Sequence, residues 1–516
     1  MKKGIKLLVL VLSLTLLFTA CSPGGGGNGQ ANGGSERKSV NLSVNATINS
    51  VDGHGPKVLQ DLLSRAQLFE GLFYLDESTA TIENRVCDEY SLSDDGTVYN
   101  FHIRPEVYFH NGDPVTASDV AFSLNRAKEM AGTKAYVAAI ENVEVVDDEN
   151  VKVVLDNPSA PFLTNLCQVY ILSEKVVNEQ GEAFGTKVHL AGCGPYYLEE
   201  LDMSVGWKMK AFPKYWRGEA AITEINYTVI TDVSSGLVAF ESGDLDWYDA
   251  PIANWDSLVA NSKFETELMA ANHITYFCVN PKANEALAND KVREAIFYAA
   301  DKEAMNQSAF NGHAEVAYFL EHPDFNIDAP KDGLTFSHDP EKAKSLLKEA
   351  GYENGVDIGS ILCFTGSHFE KCAQILQANL AAVGITADLD WVDQTTNTTR
   401  ARAQDYDIVV SGTSPTGDFD HIRLMFHADY AGSKMIAIEE SPEKFDYEEL
   451  AALIDKSAQT LDSAERIEIN KELNTKLMET FTISPLLHKV HPYVWNKNLK
   501  VVNMPTNYQV YDWSWE

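Results

Sequence analysis

Cys21 is the residue whose type and position imply a definite chemistry. It follows a basic start (Lys2, Lys3, Lys6), an uncharged, mostly apolar run over residues 7–17, and the small pair Thr19 and Ala20. That order is the charged region, apolar region and small-residue cleavage site of a secretory signal. A cysteine in the first mature position offers its thiol for acylation, as in a bacterial lipoprotein signal, although Phe18 stands where such signals more often carry leucine. The apolar run is too short for a spanning helix, which needs about 20 residues. We therefore expect residues 1–20 to be removed, Cys21 to carry the lipid, and the rest to work outside the cytoplasmic membrane, on its outer face or in a periplasm.

Other reactive constellations are missing from the sequence. There is no GxxxxGK[ST] phosphate loop, no HExxH and no GxSxG, and "GTSPTG" (412–417) does not have the spacing of a nucleophile elbow. His488 and His491 are three apart and His421 and His427 six apart, without Cys or Asp partners at the spacings of a structural zinc site. His102 and His110 lie in β-like sequence and read as surface or packing residues. Carboxylates are too numerous to single out a general acid and base. The expectation is a protein that is not an enzyme and holds no cofactor. With 75 acidic against 41 basic side chains the net charge is -34. That excludes nucleic acid, whose binding needs Lys and Arg to neutralise phosphates, and fits a soluble exported monomer. Cys87, Cys167, Cys193, Cys278, Cys363 and Cys372 form no CxxC. Six cysteines allow many pairings, so disulfides and buried thiols both stay open.

The 516 residues allow two to four domains at ~100–200 residues each. Residues 22–38 form a spacer rich in Gly, Asn and Ser that should behave as a flexible coil. Beyond it, β-like runs at 40–44, 99–103, 143–146, 151–155, 225–230, 274–279, 385–389 and 408–410 alternate with helical patterns. Asp339 caps a helix with Pro340 at its first position, Ala343, Leu346, Leu347 and Ala350 on one face, and Gly351 to stop it. Asp290 is expected to cap a second helix with Val292, Ile296, Ala299 and Ala300 inward, and Thr116 with Asp119 a third. Such mixed order predicts α/β lobes rather than a bundle or sandwich.

An ordered series of segments resembles the peptide/nickel family (family 5) of extracytoplasmic solute-binding proteins of ABC importers. The series runs "FEGLFYLDE" (69–77), "LSDDGTVYNFHIRPEVYFHNGDPVTASDVAFSLNRA" (92–127), "GCGPYYLEE" (192–200), "PKYWRG" (213–218) and "AFESGDLDW" (239–247). It continues with "DKVREAIFYAADKEAM" (290–305), "HDPEKAKSLLKEAGY" (338–352) and "QILQANLAAVGI" (374–385). Cys193 replaces the usual Thr of its turn, and the tip "TSPTGDFD" lacks the usual Trp and Asp-Pro pair. The blocks also make sense as scaffold: Gly96 bends a turn that feeds Tyr99, Phe101 and Ile103 onto one face of a strand.

The resemblance implies an α/β, two-lobed periplasmic-binding-protein-like clamp of type II, with an extra subdomain in the first lobe. Lobe I would span residues 40–270 and return at 484–516, lobe II would span 271–483, and residues 21–39 would be the acylated linker. The hinge would lie near Asn272 and Ser484. Ligand would bind in the cleft, and the closed form would dock on ABC permease subunits driven by cytoplasmic ATPases. In peptide-binding members a carboxylate in the segment after "YDIVVSG" pairs with the ligand ammonium. The matching residue is Asp418, with Thr413, Ser414, Phe419 and Asp420 around it. A rival reading rests on "FHADYAG" (426–432), which resembles nickel-importing members. There His427, helped by His421, would ligate a nickel–small-chelator complex as cargo. Short peptides are the preferred ligand, and a sensory receptor or extracellular hydrolase is the alternative outside this class.

Overall fold

The computed structural model describes residues 37–55, 59–427, 447–503, 505 and 508–516. Cys21 with its flanking signal and spacer, and residues 428–432 of "FHADYAG", lie outside the described residues. From Lys38 onward the chain forms one compact unit.

Strand Ser39–Val44 lies parallel to Glu224–Val229, which is followed by antiparallel Gly206–Ala211 and Tyr196–Asp202. Alternation turns Val40, Leu42 and Val44 inward, the period-2 pattern of a half-buried strand. They join Trp247, Tyr493, Tyr508 and Trp513 from distant parts of the chain in one core. A second four-stranded sheet is wholly antiparallel, in the order Cys87–Leu92, Val98–Ile103, Asn150–Leu155, Ile140–Val145. Helix Ala117–Glu129 belongs to its core through Val120 and Leu124, which cluster with Phe101 and Val151. Thr116 and Asp119 close the expected capping box at its start.

The largest sheet has seven strands. Six run in the order Trp247–Asp249, Ile483–Asn496, Phe264–Val279, Ile408–Thr413, Val356–Phe364 and Ile385–Val392, and short Glu315–Val316 pairs with Ile483–Asn496. Helices Asp290–Ala299, Pro340–Glu349 and His368–Ala382 supply Val292, Ile296, Leu347 and Leu376 to its core. Pro340 sits at the first helical position behind the Asp339 cap, as expected. The cap of the earlier helix is Asn289 rather than Asp290, because the Asn289 side chain accepts from Lys291 N while Asp290 pairs with Arg293.

Two long strands carry the architecture. Phe264–Val279 and Ile483–Asn496 pair antiparallel from Phe264–Asn496 to Cys278–Ile483. Their register breaks between Ala270–Val490 and Ile274–His488, so that residues 271–273 face Lys489 alone. A bulge interrupts the ladder and adds twist. On one side of it Phe264 and Val494 pack with Phe240 and Leu258. On the other, Ile274, Phe277 and Leu487 enter the large core. The sequence shows only the apolar last part of the first long strand, because "FETELMAANH" (264–273) mixes polar residues into its start.

The result is the expected α/β fold of a two-lobed clamp. The far sides of the cleft touch. Ala160 N donates to Ala458 O at 2.8 Å, and Asn165 Nδ2 to Asp420 Oδ2 at 3.5 Å. Gly417, at φ 87°, lies so near Leu75 that a Cβ there would sit 2.0 Å from Leu75 Cδ2. All six described cysteines are free thiols, and among the described residues no helix is long and apolar enough to cross a membrane.

Candidate ligand-binding cleft

The segment after strand Ile408–Thr413 does not present its carboxylates to a ligand. Asp418 is 1% exposed. Its Oδ2 accepts from Arg466 NH1 at 3.1 Å, and its Oδ1 accepts from Arg466 NH2 at 2.5 Å and from Asp420 N at 2.8 Å. Arg466 also holds Asp328 Oδ2 at 2.9 Å and the Ser457 carbonyl at 3.2 Å. Burial pushes the Asp418 carboxyl up and Arg466 pulls it back. Two donors facing two oxygens make this an ionised, fork-to-fork pair. In this structure the acceptor sites of Asp418, where a ligand ammonium was expected, are taken by an arginine fork and a backbone donor.

Its neighbours follow suit. Asp420 is bound by Arg423 through Nε and NH2 at 2.7 and 2.5 Å, and Phe419 is 1% exposed in the large core. Only Thr413 and Ser414 of the five keep access to solvent. The nickel reading loses its ligands for the same reason. His421 Nδ1 is 2.8 Å from Glu321 Oε1 and its Nε2 3.4 Å from Thr413 Oγ1, while His427 is buried with Nε2 3.5 Å from Asp455 Oδ1. The His421 imidazole faces the fully buried Glu321, and His427 faces the half-exposed Asp455.

The open chemistry lies on the opposite wall and on the cleft floor. Two cavities of about 120 Å³ each share Tyr508. One is lined by Tyr74, Glu77, Gln168 and Tyr170, the other by Asn45, Trp247, Tyr248, Asp249, His491 and Tyr493. Asp249 ends the edge strand Trp247–Asp249, which pairs with the long return strand and brings Asp249 opposite Tyr493. Its side chain is 38% exposed, although protein atoms ring the carboxyl. Burial opposes its ionisation, but His491 and Lys489 outweigh that and hold the carboxyl below its usual range. Its Oδ2 lies 2.8 Å from His491 Nδ1. An ionised carboxylate only accepts, so Nδ1 carries the proton. Burial first, and then the Lys489 ammonium, keep the imidazole itself from charging.

Strand alternation places Lys489, His491 and Tyr493 in file on one face of the return strand. The His491 and Tyr493 rings stack with centroids 5.1 Å apart, and Trp247 and Tyr508 extend the aromatic wall. Across the bulge, His273 Nδ1 is 3.1 Å from Ser414 Oγ, and its Nε2 is buried with no hydrogen-bond partner among the described residues. Burial, then Lys489 and His491, push the His273 imidazole down to about 3. His368, hydrogen-bonded to Thr275 Oγ1 at 3.1 Å, is held well below its usual value by burial, His273 and Lys489.

The sequence reading missed Asp249, His491 and Lys489 as cleft residues. The available signal was "HKVHPY" (488–493), where polar residues recur every second position in an otherwise apolar run.

This arrangement offers an anionic oxygen, an aromatic wall and hydroxyls beside the two cavities. The profile of bacterial extracellular solute-binding proteins, family 5, matches residues 81–432. The glutathione-binding protein GsiB of Pectobacterium atrosepticum is 30% identical over 368 residues, covering 69% of this chain and 70% of that protein. Among solved structures, the oligopeptide-binding protein AppA of Bacillus subtilis, in complex with a nonapeptide, has a TM-score of 0.80 at 20% identity, covering 93% of this chain and 100% of that one. NikZ of Campylobacter jejuni, in complex with Ni(L-His), also has a TM-score of 0.80 at 20% identity, with 93% and 99% coverage. These structures share its fold. With a matched profile over most of its length, the chain belongs to the family 5 bacterial extracellular solute-binding proteins, substrate-binding components of ABC transporters rather than enzymes.

Proposed function

We propose that this protein captures short peptides outside the cytoplasmic membrane and delivers them to ABC permease subunits, working as a monomer tethered by lipid on Cys21. The observation that carries the ligand class is Asp249. It is a cleft-facing carboxylate held ionised, with one oxygen on His491 and the other, Oδ1, placed to accept from an α-ammonium. A charge-assisted bond of that kind in a closing cleft is stronger than a neutral one. Aromatic rings beside it suit peptide planes of differing sequence. The name of GsiB points the same way, since glutathione is a tripeptide.

We place the hinge at the bulge, residues 271–273 against Lys489. Ser484 pairs with Phe277 well inside the sheet, so the second crossing falls a few residues after the position expected from sequence. Closing contacts at Leu75, Asn165, Gly417 and Asp420 reward ligand that bridges the two walls and so shift the open–closed equilibrium.

Thermal melts of the purified protein against di- to pentapeptide pools and against Ni(II) with free histidine test this. Ligand at a hundredfold excess over Kd adds about 2.7 kcal/mol of stability. A peptide-induced rise that vanishes in Asp249→Asn is the expected result. A rise with nickel–histidine alone would sink the reading.

A further inference from the structure

Lys489 is the least satisfied charge in the cleft. It is half-buried, and among the described residues it makes no hydrogen bond or ion pair. That is unusual in a chain of net charge -34, where carboxylates are abundant, and a desolvated charge without a partner is costly. Its position explains where it points. It shares a face of the return strand with His491 and Tyr493, which line the second cavity, and stands alone opposite residues 271–273 at the bulge. Among the described residues no carboxylate lies within 4 Å of its ammonium, yet its charge is felt by Asp249, His273, His368 and His491. His273, whose buried Nε2 has no partner among the described residues, lies on the facing strand, and its Nδ1 contacts the exposed Ser414 hydroxyl just past strand Ile408–Thr413.

We propose that Lys489 is the anionic subsite of the cleft, taking a ligand carboxylate at the hinge while Asp249 takes the ligand ammonium, with Ser414 as a supporting hydroxyl donor. This deepens the peptide reading and rests on it. The ligand class becomes a short zwitterion whose two charged ends both lie within the cleft: a peptide of a few residues with a free C-terminal carboxylate, or an amino-acid conjugate with an equivalent acid. A single carboxylate is preferred over a phosphate, because a second negative charge would face Asp249. Placing the anionic contact at the hinge also ties it to closure, since the bulge is where the two lobes turn.

The test compares trialanine, trialanine amide and glutathione by calorimetry on the full chain and on Lys489→Met and Lys489→Arg. The wild type should bind the free acid about 10- to 100-fold more tightly than the amide, the scale of one hydrogen bond to a charged group. Lys489→Met should erase that ratio by weakening the acid and sparing the amide, whereas Lys489→Arg should retain it at least in part. Its melting temperature without ligand should stay level or rise, because an unpaired cation has been removed. Equal binding of acid and amide by the wild type, or a preference that survives Lys489→Met, would overturn the subsite while leaving the peptide reading intact. Absence of binding by all three probes would instead overturn the peptide reading and the subsite with it.

Discussion

The two aspartate sites of this protein differ in what their partners leave over. Asp418 faces Arg466, whose fork engages both oxygens and reaches Asp328 and a carbonyl besides. Asp249 faces a neutral imidazole that engages one oxygen, and its nearest cation is more than an ion-pair distance away. Asp418 is fully buried, whereas the Asp249 side chain keeps access to a cavity. The first is spent on structure, as a buried cross-brace between the Asp418 loop and helix Ser463–Glu479. The second keeps an acceptor for something that is not protein. Depth in a fold and sequence context do not identify a binding carboxylate; the count of donors already aimed at it does.

The sharpest break in the comparison is Arg466→Met. Removing one partner of a buried pair leaves Asp418 and Asp328 uncompensated, and costs about 3–5 kcal/mol. Denaturant unfolding should show that loss, and Asp418→Leu combined with Arg466→Met should recover much of it. If Arg466→Met leaves stability unchanged and abolishes binding, the assignment of Asp418 to structure is wrong.

Acid should strike the histidine-rich hinge and first lobe before the carboxylates. Burial holds His54 at about 4, and His110, His273 and His488 at about 3. Below about pH 6.5 the unfolded chain takes protons that these folded imidazoles refuse. Their contribution is therefore complete above about 6.5 and is lost as pH falls toward their folded values, by up to about 1.4 kcal/mol per pH unit for each. The Asp249 carboxyl, held below its usual range, keeps its charge through this window and loses it only at more acid pH. Melting temperatures that fall steadily from pH 7 to 4.5 would agree; a flat profile would not.

Asp249→Asn is the counterpart to Arg466→Met and should invert its signature. Peptide affinity should drop by about 1.5–3 kcal/mol, the scale of a hydrogen bond to a charged group, with unfolding stability changed by less than about 1 kcal/mol. Calorimetry and denaturant melts on the same variant decide it. The smallest effect is expected from Gly417→Ala. A side chain at φ 87° costs roughly 1–2 kcal/mol, and its Cβ meets the flexible end of Leu75. Closure should become less favourable and peptide dissociation faster, which stopped-flow fluorescence from the cleft tryptophan Trp247 would follow.

Much of the fold was legible because it is written locally. The Thr116 and Asp339 caps, the strands expected at 40–44, 99–103, 151–155 and 408–410, each found within a strand of the structure, and the α/β alternation depend on neighbours a few residues apart. The Asp290 expectation missed by one residue, because Asn and Asp cap almost equally well and only the observed bond to Lys291 N separates them. The site was less legible. Asp418 sits in a segment whose resemblance suggested a ligand contact, but Arg466 lies 48 residues away and announces nothing in the local sequence. Asp249 and His491, 242 residues apart, form a pair only because two strands from opposite ends of a lobe adjoin.

By itself, the sequence carried the resemblance to the family, a cysteine placed as a lipoprotein signal would have it, and the order of most strands and helices. These depend on composition, short-range spacing and an ordered string of segments. Only the tertiary structure decided which carboxylates are spent and which are left over, where the bulge between the two long strands falls, and that Lys489 makes no ion pair among the described residues. Those are questions of long-range pairing and burial, and the answer depends on which donors reach a given oxygen after the two long strands have brought remote parts of the chain together.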